Sequence, residues 1–209
     1  MHIKIGKFNK GLEDIIEGFL YSYRKFGLAK GIHASHSTHA EIKYFYDLGE
    51  MLGFWSELEA RSKNSDQPAD LVWVDDYDGN YYNPKDLVLF FERETRGWEK
   101  IKKTADKFFK KKWRTTVPMG VAIIDNVPKA KIEEAVEIFK KGFESKKLFS
   151  ELALLIYQKV KDNEKTKPII ATVFSNGNGK KVKTIEAKFE FVGKYSADEE
   201  SGFTIVSFH

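Results

Sequence analysis

The stretch Leu87 to Glu94 reads Leu-Val-Leu-Phe-Phe-Glu-Arg-Glu, so five consecutive apolar residues lead directly into three charged ones. A continuous apolar run of this length is typical of a central β-strand that is covered on both faces. Alternate residues of a strand share a face, which places Glu92 and Glu94 on the same side. The chain must therefore build layers on both sides of a sheet and also accommodate carboxylates at the end of its central strand.

The rest of the chain predicts an α/β (α+β) fold with a central mixed sheet flanked by helices. Apolar residues at helical spacing predict helices over 10–26, 38–53, 98–112, 129–143 and 148–160. Alternating or continuous apolar runs predict strands over 70–74, 87–94, 117–125, 169–174, 182–192 and 203–208. We interpret residues 1–165 as a core with an N-terminal helix, and residues 166–209 as a C-terminal β extension packed on that core.

Composition limits the classes of protein that the chain can represent. Its 209 residues are 42% hydrophobic, which is enough for a packed core, and it has no cysteine. No apolar run reaches the roughly 18 to 20 residues that a membrane-spanning helix requires, so we expect a soluble, cytoplasmic protein without a membrane partner. The absence of cysteine leaves carboxylates and histidines as metal ligands, and few glutamines beside many Lys and Glu are typical of a thermophile.

Two further carboxylates are predicted to approach the end of the central strand. Asp70 opens the preceding apolar strand, and the start of one strand of a hairpin lies across from the end of the next, near Glu92. Thr38 and Glu41 have the spacing of a capping box that opens a helix. On that helix Glu41 falls on the same face as Phe45, and therefore toward the core.

Several carboxylates that converge in a partly apolar environment repel one another unless a cation neutralises them. An all-oxygen set of ligands suits Mg²⁺ or Mn²⁺, so the sequence predicts a divalent-metal site. For each carboxylate taken alone, a surface charge or an ion pair with a nearby lysine remains the alternative.

A strongly basic segment follows the acidic cluster. Residues 93–114 contain ten Lys and Arg against three acidic residues, a net charge of +7 where the whole chain carries +4. A basic helix face suits the phosphates of DNA, and a solvated lysine face is the alternative. The predicted DNA-binding residues are Arg93, Arg96, Lys100, Lys103, Lys107, Lys110 and Lys111.

The order of these parts resembles the PD-(D/E)XK nuclease superfamily, and archaeal Holliday-junction resolvases in particular. The resemblance extends over roughly residues 38–140 and includes a helix glutamate, an Ala-Asp strand, a Glu-X-Lys strand, a basic helix and a buried strand. In this chain the corresponding segments read THAEIKYFYDLGEMLGF, PADLVWV, LVLFFERETRG, WEKIKKTADKFFKK and VPMGVAII. The resemblance implies a restriction-endonuclease-like core.

The resemblance also implies roles for Glu41, Asp70, Glu92 and Glu94 as catalytic residues. Asp70 and Glu92 would bind the metal, and Glu41 would bind it directly or through water. Glu94 stands where the family usually has a lysine that orients the attacking water, which is a departure from the pattern. Glu94 would instead hold a second metal or accept a proton, and Lys100 or Arg96 would supply the missing positive charge.

The leading hypothesis is therefore a Mg²⁺- or Mn²⁺-dependent DNA endonuclease. It would act on duplex or branched DNA, as a junction resolvase does, and as a homodimer or higher homo-oligomer, because cutting two strands commonly uses two sites related by symmetry. A second hypothesis is a non-catalytic DNA-binding or assembly protein that keeps a degraded nuclease scaffold. A third, an interaction module built on the β extension, leaves the convergence of carboxylates unexplained.

Overall fold

The apolar strands predicted from the sequence lie side by side in one mixed sheet. We describe a computed structural model of the chain that covers residues 3–5, 8–26, 34–61, 68–76, 85–109, 116–160, 166–176, 181–192 and 202–208. Within these residues the helices are α1 (Leu12–Phe26), α2 (Ala34–Met51), α3 (Ile101–Phe109) and α4 (Ile132–Lys146). The strands are β1 (Ile3–Ile5), β2 (Phe8–Lys10), β3 (Trp55–Ala60), β4 (Ala69–Val74), β5 (Leu87–Glu94), β6 (Val117–Val127), β7 (Phe149–Gln158), β8 (Thr166–Ser175), β9 (Lys181–Val192) and β10 (Gly202–Phe208).

The described part of the main sheet contains eight strands in the order β10-β9-β8-β7-β6-β5-β4-β3. Its centre is parallel, since β5 pairs with β6 and β6 with β7 in parallel. The outer strands are antiparallel to their neighbours. Helices α3 and α4 provide the crossovers that parallel neighbours require, and they cover one face of β5 and β6. Helices α1 and α2 cover the other face, so both faces are covered as the sequence predicts.

The alternation of side chains along each strand divides the core into two layers. Leu89 and Phe91 of β5 pack with α1 and α2, whereas Phe90 packs with α3 and α4. Strand β4 divides in the same way, with Leu71 in the first layer and Val72 in the second. From Leu71 to Val74 in β4 and from Leu89 to Phe91 in β5, successive side chains therefore alternate between the two layers.

The helix predicted over 148–160 is wrong, because this segment forms strand β7. Its six residues from Leu152 to Tyr157 are all buried. A strand covered on both faces is apolar at every position, so the period that separates helix from strand is lost. The crossover helix α4 and the parallel pairing to β6 decide in favour of a strand.

Three local predictions also need correction. Helix α2 begins at Ala34, so Thr38 lies inside the helix and the predicted capping-box start at Thr38 is wrong. Strand β3, at one edge of the described sheet, was not predicted from the sequence. The two-stranded pair of β1 and β2 was also not predicted.

The three C-terminal strands were predicted correctly, and they continue the main sheet. Strand β8 pairs with β7 along Glu151 to Tyr157, and β9 and β10 follow outward.

The described helices include none that is long and apolar enough to cross a membrane.

Helix α2 packs closely on the sheet at Gly49. A Cβ atom at this position would lie 2.5 Å from Trp73 Nε1 and closer still to Ser56 Oγ. Both groups are engaged, because Trp73 Nε1 donates to the Phe45 carbonyl at 2.9 Å and Ser56 Oγ donates to the Tyr46 carbonyl at 2.9 Å. The absence of a side chain at Gly49 therefore fixes how α2, and Glu41 with it, sits against β3 and β4.

We expect Gly49→Ala to lower the free energy of unfolding by about 1–3 kcal/mol, because overpacking at Trp73 and Ser56 outweighs the better helix propensity of alanine. Gly18→Ala in α1 is the matched control: its Cβ would meet Tyr44 Oη at an ordinary 3.5 Å. This control should be neutral or gain up to about 1 kcal/mol. Urea unfolding of both variants checks the prediction, and equal stabilities would contradict it.

Candidate functional site

The end of β5 presents charged side chains to both faces of the sheet. Glu92 lies on the face of Phe90, toward α3, whereas Arg93 lies on the face of Phe91, toward α1 and α2. Both residues are buried, with 2% and 8% of their surface exposed. The site is therefore divided into two charge clusters by the sheet itself.

The first cluster gathers Asp70, Glu92 and Lys107 on the α3 face. Leu71 pairs with Phe91, so Asp70 and Glu92, one residue outward along the two strands, stand opposite each other. Lys107 of α3 forms a salt bridge and a hydrogen bond to Glu92 Oε2. Glu94 is two residues after Glu92 on β5 and therefore lies on the same face. Its Oε1 accepts a hydrogen bond from the backbone N–H of Arg96 at 2.7 Å.

Asp70 is held in place by the backbone of the neighbouring strand. Its Oδ2 accepts the Arg93 N–H at 2.6 Å. Burial raises the pKa of Asp70 above its ordinary value, although the Arg93 N–H and the Lys107 charge act against this rise. Because the charged form of Asp70 is disfavoured in the folded chain, an additional cation beside it would offset that cost.

Lys107 is surrounded by negative charge. Burial lowers its pKa, but the Glu92 charge and hydrogen bond, followed by the charges of Asp70 and Glu94, outweigh burial and leave the pKa of Lys107 above its ordinary value. The ammonium group therefore lies near three of the four carboxylates that the sequence predicts for the site. A closely placed cation stabilises buried carboxylates whether or not a metal is present.

The second cluster is centred on Arg93 on the opposite face. Its Nε donates to Glu41 Oε2, its Nη1 donates to the Glu94 carbonyl at 3.0 Å, and its Nη2 donates to Asp125 Oδ2 at 3.2 Å. The Arg93 and Glu41 side chains are 1% and 0% exposed. Burial lowers the pKa of Arg93, but the charge of Glu41, together with the other negative groups around it and the Glu41 hydrogen bond, outweighs burial and raises the pKa above its ordinary value, so the guanidinium stays charged.

Two buried tyrosines complete the second cluster. The Tyr157 ring lies 5.1 Å from Arg93 Cζ, and Tyr23 packs edge-on against Tyr157 at 5.6 Å between ring centroids. Burial and the negative charge of Glu41 raise the pKa of both phenols well above the ordinary value. The tyrosines therefore remain neutral and surround the Glu41–Arg93 pair with aromatic surface.

The structure brings together Asp70, Glu92 and Glu94, and it places Glu41 with Arg93 on the other face. Glu41 is buried in the core, as its position on the helix predicts. Among the described residues, His, Asp and Glu do not form a group of three or more that could hold a metal ion. Mg²⁺ is often held by one or two carboxylates with water and phosphate, and Asp70 and Glu92 are the pair that a metal-site hypothesis would have to use.

The basic residues divide between the surface and the interior. Arg96 and Lys103 are exposed, and Lys100 is half-buried. Arg93 was predicted to bind DNA, but its guanidinium is buried in the second cluster because Glu41 and Asp125 neutralise it there. Lys107 was predicted on the solvent face of its helix, which is wrong, because its side chain turns inward to Glu92. Lys110 and Lys111 lie outside the described residues.

Sequence reasoning missed Asp125 and Tyr157 as members of the site, and it missed the pairing of Lys107 with Glu92. Asp125 follows the buried run of β6, as Glu92 follows the buried run of β5. Because β5 and β6 are parallel neighbours, this position could have predicted that Asp125 lies near the end of β5. Tyr157 was hidden by the incorrect helix prediction for β7.

The sequence matches none of the protein-family models, and no curated protein matches it. Among solved structures, the central domain of yeast acetyl-CoA carboxylase is similar at a TM-score of 0.39 and 16% sequence identity. The similarity covers 77% of this chain, which spans 25% of the length of that one. A similarity at this level carries no argument about function.

Loss of either partner of the buried Glu41–Arg93 pair should strongly destabilise the fold. We expect Glu41→Leu and Arg93→Met each to lower the free energy of unfolding by about 3–5 kcal/mol, because each leaves a buried charge without its main partner. The double variant should lose less than the sum of the two. Urea unfolding provides the measurement.

Lys43→Ala is the matched control on the same helix. Lys43 and Asp47 form an exposed pair with side chains 72% and 50% accessible, so its loss should change stability by less than about 1 kcal/mol. Additive losses in the Glu41–Arg93 cycle would show that the two residues do not act as a pair.

The raised pKa of Asp70 predicts a pH dependence of stability in metal-free buffer. A carboxyl group with a higher pKa in the folded chain binds more protons there, so its contribution to stability falls as the pH rises from its ordinary pKa through the folded one. Asp70→Asn keeps an oxygen that can accept the Arg93 N–H but does not titrate. In EDTA, wild type should lose stability relative to Asp70→Asn between about pH 4 and neutrality. A relative gain for wild type over this range would contradict the burial of Asp70.

Proposed function

We propose that this chain is a Mg²⁺- or Mn²⁺-dependent DNA endonuclease of the PD-(D/E)XK type. One observation carries the proposal: Asp70 and Glu92 stand opposite each other at the end of two paired strands, with Glu94 and Lys107 on the same face. Partly buried carboxylates gathered at the ends of neighbouring strands lower the stability of the fold. Binding of a divalent cation for phosphodiester hydrolysis is a function that would account for them.

The order of elements supports a restriction-endonuclease-like core. Helix α2 with Glu41, strand β4 with Asp70, strand β5 with Glu92, helix α3 and strand β6 follow one another along the chain. This is the order implied by the resemblance seen in the sequence. Strands β3, β4 and β5 are antiparallel, and β6 is added in parallel after the crossover helix.

The residues at the end of β5 have separate tasks in this proposal. The Arg93 N–H orients Asp70 toward the end of the strand pair, where Glu92 provides the second carboxylate. A divalent ion held there would lower the pKa of an attacking water and stabilise negative charge at phosphorus. Glu94, in the place of the family's usual lysine, is able to accept a proton from water but supplies no positive charge.

The exposed basic residues would hold the DNA. Arg96 and Lys103 face solvent, and Arg96 is two residues from Glu94. Contacts of this kind bind phosphate without reading sequence, which suits duplex or branched substrates. Two active sites related by symmetry would cut both strands, so we propose a homodimer or higher homo-oligomer as the active form.

A second candidate function is a non-catalytic DNA-binding or assembly protein on the same scaffold. The specific observation in its favour is that buried acids of the site already have internal cations. Glu92 pairs with Lys107, and Glu41 pairs with Arg93. Such pairs neutralise the buried acids of both clusters without a metal, as expected if these residues stabilise the fold and do not catalyse a reaction.

The test is incubation of the protein with supercoiled plasmid, linear duplex and four-way-junction DNA in Mg²⁺, Mn²⁺ or EDTA. We expect cutting only with metal, and Asp70→Asn should slow it by at least about a hundredfold, since charge stabilisation at phosphorus is lost. Glu99→Gln, an exposed acid in the same segment, is the matched control and should cut like wild type.

The outcomes separate the two candidate functions. Tight binding that weakens steeply with salt, but without cutting in either metal, would support the scaffold and reject the nuclease. Absence of both cutting and binding would reject both. Cutting that Asp70→Asn leaves intact would place the active site elsewhere.

A further inference from the structure

Lys107 covers the most deeply buried acid of the first cluster. Its ammonium bonds to Glu92 Oε2, and the Lys107 side chain is 24% exposed where that of Glu92 is 2% exposed. Lys107 projects from α3, whose buried residues Thr104, Ala105 and Phe108 fix the helix against the sheet. Lys107 is therefore the partner of this pair that solvent reaches more easily.

The same carboxylates would serve both the lysine and a divalent ion. Lys107 feels the charges of Glu92, Asp70 and Glu94 together. A divalent ion ligated by Asp70 and Glu92 would lie within a few ångströms of this ammonium. Like charges at that distance repel strongly where water is partly excluded, and Glu92 has one oxygen already engaged with the lysine.

We propose that Lys107 is the resident cation of this cluster and that a divalent metal binds Asp70 and Glu92 only by displacing Lys107 from Glu92. This inference rests on the proposed function for the identity of the metal site. Without metal, Lys107 keeps the buried acids neutralised and the end of β5 folded. With metal, the lysine gives up Glu92 and turns toward solvent at the rim of the site.

The proposal distinguishes Lys107 from the other lysines of α3. Lys103, one turn earlier on the helix, is exposed to solvent, whereas Lys107 is half-buried against Glu92. Substitution of Lys103 changes the general charge of the helix but leaves the competition for Glu92 untouched. It therefore controls for long-range electrostatic effects on metal binding.

The experiment measures Mn²⁺ affinity of the full-length protein by calorimetry, without DNA, in wild type, Lys107→Met, Lys107→Arg and Lys103→Met. We expect Lys107→Met to bind Mn²⁺ more tightly by on the order of tenfold, because the competing charge is gone. Lys107→Arg keeps the charge and should bind Mn²⁺ no more tightly than wild type, because a guanidinium pairs with carboxylates at least as well as an ammonium. Lys103→Met should bind within about threefold of wild type, because an exposed charge is screened by salt.

Thermal melting provides a second readout that does not depend on activity. Lys107→Met should melt below wild type in EDTA, since Glu92 has lost its ammonium partner. Addition of Mn²⁺ should then raise its melting temperature more than that of wild type. Crystals of the wild-type protein with Mn²⁺ should show Lys107 Nζ away from Glu92, and this measurement applies even if Lys107→Met does not fold.

The outcomes distinguish a failure of this inference alone from a failure that also overturns the proposed function. Mn²⁺ binding by wild type that Lys107→Met leaves unchanged or weakens overturns the competition alone, as does a crystal structure with both cations on Glu92. Failure of wild type and Lys107→Met to bind Mn²⁺ overturns both proposals. Equal binding by wild type and Asp70→Asn places the ion elsewhere and also overturns both.

Discussion

The fold depends on the neutralisation of acids that lie at the end of a strand covered on both faces. Strand β5 is central because its apolar run allows helices above and below the sheet. The same coverage removes Glu92 from water, so the fold must supply a cation from within. Lys107 does this from α3, and Arg93 does it for Glu41 on the other face. Each cation also ties a helix to the sheet.

The coarse architecture and part of the candidate site were predictable from local sequence patterns. Apolar runs are local, so they identified the strands from β4 to β6 and the three C-terminal strands. The position of Glu41 on the core-facing side of its helix followed from helical geometry alone. The approach of Asp70 to Glu92 followed from the geometry of a hairpin.

The remainder depended on contacts between residues far apart in the chain. Lys107 and Glu92 are fifteen positions apart, and Arg93 and Glu41 fifty-two. A lysine on an amphipathic helix is usually placed toward water, and only the neighbouring β5 shows that Lys107 turns inward. The incorrect helix over 148–160 has a similar origin, because burial on both faces removes the periodicity from which strands are predicted. That error also concealed Tyr157.

Arg93 connects the two faces of the sheet. Its backbone N–H holds Asp70 in the acidic cluster, while its guanidinium holds Glu41 and Asp125 on the opposite face. A shift of α2 would be transmitted to Asp70 through Arg93, because Arg93 bonds to both Glu41 and Asp70. Helix α2 thereby acts as a remote support for the geometry of the cluster, and amino-acid changes on its inner face are constrained by carboxylates that lie on the other side of the sheet.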